Sequence, residues 1–97
     1  MSGALTLHEF TPYLHTRFRV GQHESYELEL TEVVDQSNVR LEQFSLIFTG
    51  IASPWLPQGM YKLTHSQMGE CELLLVPIGL DASGMRYEAA FSRPFSR

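Results

Sequence analysis

The sequence predicts a mainly β domain, with about six antiparallel strands in hairpin order and a short N-terminal helix. From residue 16 onward, apolar and polar residues alternate with a period of two. Clusters of turn-forming residues separate the alternating stretches. Neighbouring stretches can also be aligned so that apolar residues and opposite charges face each other. We expect these strands to form a small closed barrel or a rolled two-layer sheet.

The length of 97 residues allows only one hydrophobic core. Apolar residues make up 43% of the chain and charged residues 19%, which is typical of a globular protein. We therefore predict a single domain over residues 1–97. It divides into a helical lid at 5–14, the barrel or sheet at 16–91, and a tail at 92–97.

A short helix is predicted near the N-terminus. Thr6 and Glu9 have the spacing of a capping box, and Leu5 and Phe10 occupy the positions of a hydrophobic staple. Pro12 disfavours the helical conformation in the residue before it. The helix should therefore run for one or two turns and cover the core as a lid.

The first two strands are predicted at residues 16–20 and 26–30, joined by a loop at 21–25. One register suits both faces of this hairpin, and it predicts the pairs Val20–Tyr26, Phe18–Leu28, Arg19–Glu27 and Arg17–Glu29. The consecutive residues Val33 and Val34 break the alternation, which indicates a bulge or a strand end.

Four more strands follow at residues 44–49, 60–65, 70–77 and 85–91. The connection at 50–59 contains two prolines and is predicted to be irregular. The predicted pairs in the last two hairpins are Leu63–Cys71, Lys62–Glu72, Leu75–Tyr87 and Leu73–Ala89.

Charge and cysteine content restrict the function. A net charge of −4 does not favour binding to a phosphate backbone, so no nucleic acid partner is expected. A single cysteine favours a reducing compartment, and we expect a cytoplasmic protein. The chain contains no apolar run of the length that a membrane span needs, so no membrane partner is expected.

Several residues are candidates for metal binding or acid-base chemistry: His8, His15, His23, His65, Cys71, Glu24, Glu27, Glu29 and Glu32. The histidines have no recognised ligand spacing, although a contact between His65 and Cys71 stays open. Cys71 shares a predicted face with core residues, and Glu27 and Glu29 have predicted arginine partners. We expect no metal, no cofactor and no catalytic residue.

The loop around Trp55 is the strongest candidate for a functional segment. Trp55 and Leu56 are flanked by prolines, which lower the cost of ordering a tryptophan that contacts a partner. The alternative is that both side chains fold back and close one end of the barrel. In the tail, Phe95 is a second candidate for partner binding.

Four stretches resemble an uncharacterised family of small bacterial all-β domains, a domain of unknown function. They are residues 5–10 (LTLHEF), 43–50 (QFSLIFTG), 56–61 (LPQGMY) and 75–79 (LVPIG), and residues 84–91 (GMRYEAAF) match the closing strand. The resemblance covers nearly the whole chain and implies no catalytic residue. Family members in gene neighbourhoods with phage-tail-collar-like proteins imply a protein partner at most.

The residues favour a non-enzymatic interaction or assembly accessory module, and the resemblance implies a link to a tail-collar or fibre-like system. The alternative is a small-ligand-binding barrel or minor enzyme, with a pocket under the lid lined by Phe10, Tyr26, Phe48 and Tyr61. Homo-oligomerisation through strand edges is compatible with either function.

Overall fold

The structure is a computed structural model that describes residues 7–21 and 23–94. It contains a short helix α1, one 3-10 helix and six strands β1 to β6. In chain order these are α1 (Leu7–Phe10), the 3-10 helix (Thr11–Tyr13), β1 (Arg17–Val20), β2 (His23–Asp35), β3 (Leu41–Gly50), β4 (Gly59–His65), β5 (Gly69–Asp81) and β6 (Gly84–Pro94). No helix within the described ranges is long and apolar enough to cross a membrane.

All six strands are antiparallel and form one ring in the order β1-β2-β3-β6-β5-β4. The ring closes where β1 meets β4, through the pairs Arg19–Thr64 and Val20–Leu63. The mainly β fold with six antiparallel strands and a short N-terminal helix is confirmed, and the sheet rolls into a closed barrel. The predicted hairpin order holds except between β3 and β4, because the irregular connection at 51–58 lets β3 pair with β6 instead. The closing seam is short because β1 has only four residues.

In the first hairpin, three of the four predicted pairs are confirmed. The fourth is wrong, because Val20 pairs with His23 and not with Tyr26. A bulge immediately before Val20 shifts the register, and β2 starts inside the predicted loop. The backbone N–H of Gly21 donates to the carbonyl of Lys62 on β4, at 2.7 Å. The turn therefore also helps to close the barrel.

The predicted irregularity in β2 is a bulge between Leu30 and Glu32, and the strand then continues to Asp35. The extra residue at this bulge puts Val33 opposite Leu46, whose side chain is buried in the core. The bulge thus explains why two valines in succession do not end the strand.

The register predicted between β4 and β5 is confirmed, but the one between β5 and β6 is wrong. Tyr87 pairs with Pro77, two residues away from its predicted partner Leu75, and the predicted pair of Leu73 with Ala89 shifts with it. The hairpin is longer than predicted because its turn is confined to residues 82–83. A shift of two residues keeps each side chain on its predicted face.

The core consists of side chains from all six strands, the helix and the connection between β3 and β4. Its buried members are Phe10, Phe18, Val20, Leu28, Leu30, Phe44, Leu46, Phe48, Leu56, Leu63, Leu73, Leu75, Met85, Tyr87 and Ala89. Phe10 of α1 is completely buried, and its ring lies 6.0 Å from that of Phe91. The short helix therefore covers the core, while the predicted cap and staple residues Thr6 and Leu5 lie outside the described residues.

Candidate functional site

The connection between β3 and β4, residues 51–58, is called the Trp55 loop here. A chain of hydrogen bonds holds it to the barrel. The backbone N–H of Leu56 donates to the hydroxyl of Tyr87 at 2.8 Å, and the hydroxyls of Tyr87 and Tyr26 are 3.3 Å apart. The Tyr26 hydroxyl donates to the carbonyl of Pro54, at 2.8 Å. Two core-facing strands, β2 and β6, therefore fix the middle of the loop.

A third tyrosine fixes the end of the loop. The Tyr61 hydroxyl on β4 donates to the carbonyl of Pro57, at 2.7 Å. Burial raises the pKa of Tyr61, and burial together with the nearby Tyr87 hydroxyl raises the pKa of Tyr26. Both hydroxyls therefore stay protonated at neutral pH, which they must be in order to donate these bonds.

The two central side chains of the Trp55 loop have opposite environments. Leu56 is 5% exposed and packs with the core, whereas Trp55 is 50% exposed. Leu56 therefore folds back onto the core, as one of the two alternatives predicted for this loop. Trp55 is accessible, as the other alternative predicted. The buried leucine and the three tyrosines anchor the loop on both sides of the tryptophan.

Other large apolar side chains are exposed on the β4–β5 wall of the barrel and on the β5–β6 hairpin. Met60 pairs directly with Leu74 across β4 and β5, next to the end of the Trp55 loop. β5 then continues past the start of β4, and its hairpin with β6 meets the loop where Gly84 contacts Gly50. Met60 and Leu74 lie on the outer wall of the barrel, because they alternate with the buried Leu73 and Leu75.

We call the Trp55 loop and the β5–β6 hairpin beside it the apolar end. Its exposed apolar side chains are Ile51, Trp55 and Leu80, each 50% to 60% exposed.

Replacing Tyr87 with phenylalanine should release the Trp55 loop. The substitution keeps the buried ring but leaves the Leu56 N–H without its acceptor, which costs about 1–3 kcal/mol for a buried donor. We expect faster hydrogen exchange at the Leu56 amide and stronger acrylamide quenching of Trp55, the only tryptophan. Hydrogen exchange by NMR and fluorescence quenching measure the two effects.

The matched control is Tyr61→Phe, because the bond from Tyr61 to Pro57 is exposed and water can replace it. This variant should lose less than about 1 kcal/mol and leave the Leu56 amide protected. Equal effects of both substitutions would contradict a special role for the Tyr87 hydroxyl.

The residues predicted to line a ligand pocket do not have similar surroundings. Phe10 and Phe48 are completely buried in the core. Tyr26 and Tyr61 are partly buried, and their hydroxyls hold the Trp55 loop. Three surface concavities in the described part of the molecule have none of these four side chains on their walls.

His65 is a buried histidine whose two ring nitrogens are both occupied. Its Nε2 lies 2.9 Å from the hydroxyl of Thr16, and its Nδ1 accepts the backbone N–H of Gln67 at 3.0 Å. The ring also packs against those of Tyr13 and Phe18, each with its centroid 4.7 Å away. His65 therefore connects the lid, β1 and the β4–β5 turn, and each of its ring nitrogens has a hydrogen-bond partner within the protein.

The other candidate ligands are dispersed. His8 and His15 are exposed, and the side chain of His23 lies outside the described residues. Cys71 lies opposite Leu63, and burial raises the pKa of its thiol to about 11, so the thiol stays protonated at neutral pH. Across residues 7–21 and 23–94, no three histidine, cysteine, aspartate or glutamate side chains group as metal ligands.

The predicted acidic face carries ion pairs with exposed partners. Arg17 bonds to Glu27 at 3.4 Å, diagonally across the confirmed register, and His15 lies 3.6 Å from Glu29. Arg86 lies 3.5 Å from Glu32. The side chain of Glu24 lies outside the described residues. A polar concavity of about 710 Å³ lies over this face, and its charges are largely paired with each other.

Of the predicted partner-binding residues, Trp55 and Leu56 lie in the same loop, and Phe95 lies outside the described residues. Sequence reasoning missed Tyr87, which positions the loop. The available signal was an inward-facing tyrosine, since a buried hydroxyl needs a hydrogen-bond partner and the irregular loop supplies free backbone groups.

A family model for a domain of unknown function, DUF6916, matches residues 5–91. No curated protein and no solved structure gives a significant match to the chain. The matched segment extends from just before α1 into β6 and so includes the Trp55 loop and all six strands except the last three residues of β6. The chain belongs to the DUF6916 family of domains.

Proposed function

We propose that this protein is a non-enzymatic interaction module that docks a partner protein on its apolar end. The observation that carries the proposal is Trp55, half exposed on a loop that hydrogen bonds hold at three points. The wider role proposed is that of an accessory in a tail-collar or fibre-like assembly.

Energetics support a docking role for this loop. Tryptophan is enriched among the few residues that supply most of the binding energy in protein interfaces. A loop that is already fixed by Tyr26, Tyr61 and Tyr87 loses little conformational freedom when a partner binds. Little of the free energy gained by burying Trp55 is therefore offset by conformational entropy lost when the loop becomes ordered.

The extent of exposed apolar surface also supports this proposal. Single exposed apolar residues are common on protein surfaces, but apolar side chains exposed around one fixed loop, as Ile51, Trp55 and Leu80 are, are typical of an interaction site. Burying such a group in a partner removes it from water and provides a general driving force for association.

The alternative, a small-ligand-binding barrel, has less support. A barrel holds a ligand only where side chains leave its interior open. Here large residues such as Phe18, Phe48 and Tyr87 have no exposed surface and pack together inside the ring. The Phe18 and Phe48 rings are in edge contact, with centroids 5.5 Å apart. We therefore favour the interaction module.

The test is to measure binding of each purified protein encoded beside this gene to the wild type and to Trp55→Ala. A true partner should shift the emission of the single tryptophan of the wild type and protect it from acrylamide. Trp55→Ala should weaken that partner at least tenfold, measured by calorimetry, because about 1.4 kcal/mol or more of contact energy is lost.

Val39→Ala is the matched control. Val39 is 93% exposed and precedes β3, whereas the Trp55 loop follows the other end of the same strand. The control should bind like the wild type. A partner that binds Trp55→Ala with unchanged affinity would show that docking does not use the apolar end.

A further inference from the structure

We propose that His65 is an acid-sensitive clasp, which holds the lid to the β4–β5 turn at neutral pH and releases it when the imidazole is protonated. The lid is α1 with the 3-10 helix, residues 7–13, and the turn is residues 66–68. His65 ends β4, whereas the Trp55 loop precedes the start of the same strand. The clasp therefore lies at the other end of the barrel and does not depend on the proposed docking function.

The hydrogen bonds of His65 fix the position of its proton. Nδ1 accepts the backbone N–H groups of Gln67 and Met68, at 3.0 and 3.3 Å, so it carries no proton itself. The single N–H of the neutral ring is therefore at Nε2, where it donates to the hydroxyl oxygen of Thr16 at 2.9 Å. The Thr16 hydroxyl in turn donates to the carbonyl of Tyr13, the last residue of the lid. One directed chain of bonds thus links the turn to the lid.

A protonated His65 cannot keep these contacts. The added proton goes to Nδ1, which then points an N–H at two backbone N–H donors, and an imidazolium has no acceptor left. His65 is only 6% exposed, so water does not replace the lost bonds unless the structure opens. The Tyr13 and Phe18 rings can attract a cation, but a ring face does not replace the acceptor that the two N–H groups lose. Protonation therefore favours an open clasp.

Charged groups around His65 do not supply a partner for the imidazolium. Across the described residues, no carboxylate forms an ion pair with its ring. Glu9 and Glu70 line the concavity between lid and turn, and Arg17 and Arg19 line another concavity on the β1 side. These four side chains are exposed, so solvent screens their opposed effects on the imidazolium. The titratable and charged groups of the surrounding elements are His8, Glu9 and Tyr13 of the lid, Arg17 and Arg19 of β1, Glu27 of β2, Lys62 of β4, and Glu70 and Cys71 of β5. The direct hydrogen bonds of His65 therefore decide its response to acid.

The sign of the pH dependence follows from which state binds the proton. A histidine in an open, solvated chain takes up its proton near about pH 6.5, whereas the closed clasp has no place for it. Stability falls with pH wherever the open state binds more protons. The clasp therefore contributes fully at about pH 7.5, and the equilibrium constant for its opening should rise about tenfold by about pH 5.5.

Opening of the clasp loosens the lid end of the core. Phe10 is the completely buried side chain of the lid, and Tyr13 is the contact of the lid with the clasp. A concavity of about 400 Å³ already lies between the lid and the turn. Weaker attachment at Tyr13 widens this concavity and gives water access to Phe10. An acidic environment would thus expose apolar surface that is closed at neutral pH.

The test is amide hydrogen exchange by NMR at about pH 7.5 and about pH 5.5, with each rate divided by that of an unstructured peptide at the same pH. Protection of the Gln67 and Thr16 amides, which donate to His65 and Tyr13, should fall about tenfold in the wild type. Equal protection of Gln67 at both pH values would overturn the clasp.

Two variants separate His65 from the other groups that titrate. His65→Asn keeps an acceptor for the Gln67 N–H but takes up no proton in this range, so protection should fall less than about twofold. His15→Asn removes an exposed histidine that lies 3.6 Å from Glu29, and Asn tolerates the positive φ of 69° at this position. This control should keep the tenfold fall. A full tenfold fall in His65→Asn would contradict the assignment to His65.

Nitrogen chemical shifts of the His65 ring give a reading that needs no variant. In the closed wild type at about pH 5.5, the ring should still be neutral with its proton on Nε2. A ring that is protonated while the Gln67 amide stays protected would overturn the proposal, because the closed structure would then accept the proton.

Discussion

Replacing Gly84 with alanine is expected to destabilise the barrel by about 3 kcal/mol or more, the combined cost of backbone strain and overpacking. Gly84 has a φ of 133°, a conformation that residues with a Cβ rarely adopt. A Cβ at this position would collide with the backbone carbonyl of Gly50, and backbone atoms at the β3–β6 pairing can move little. Urea unfolding followed by far-UV circular dichroism measures the loss.

Gly69→Ala separates the strain from the collision. Gly69 also has a positive φ, 87°, but no other atom lies within 4 Å of the position of its added Cβ. This control should lose only about 1 kcal/mol, the lower end of the cost of such backbone strain. Equal losses at both positions would mean that the contact between Gly84 and Gly50 contributes nothing to the cost.

The structure also predicts a large effect at Phe10, whose replacement by alanine should cost about 3–5 kcal/mol. The Phe10 side chain is completely buried and joins α1 to the core beside Phe91. Since small domains have a total stability of about 5–15 kcal/mol, one side chain of the lid would account for a large part of it. Urea unfolding gives the free energy, and hydrogen exchange shows whether α1 detaches first.

Phe10→Leu is the conservative control, because most of the apolar volume is kept, and it should lose no more than about 1.5 kcal/mol. A lid that merely rests on the surface would give a different result. In that case Phe10→Ala would also cost less than about 1 kcal/mol, and our description of the helix as part of the core would be wrong.

The mainly β fold and most strand positions could be predicted because the responsible signals are local. Alternation along β1 and β2 placed Phe18 and Leu28 on the buried face, and cross-strand charges selected the register that three pairs confirm. The β4–β5 register followed from the same argument, since Lys62 faces Glu72 as predicted.

The two errors in register have different causes. The bulge before Val20 changes the count of residues in the first hairpin, and the short turn at 82–83 makes the β5–β6 hairpin longer than predicted. Alternation alone cannot locate such a change when the affected residues lie near a turn. The β5–β6 error was also an even number of residues, so every side chain kept its face and the pattern gave no contradiction.

The candidate site was identified only in part. Two prolines and the lone tryptophan pointed to the loop, but the opposite environments of Trp55 and Leu56 did not follow from their sequence neighbours. They depend on hydroxyl groups from Tyr26 and Tyr87, which are 28 and 31 residues from their loop partners.

By itself, the sequence determined the mainly β fold, the lid at the N-terminus and the faces of the strands, because periodicity and charge pairing act between neighbouring segments. Only the tertiary structure decided that the sheet closes through β1 and β4 and that the Trp55 loop meets the β5–β6 hairpin at the apolar end. Closure and the apolar end bring together residues far apart in sequence, and their positions depend on the bulges and hydrogen bonds of the whole barrel.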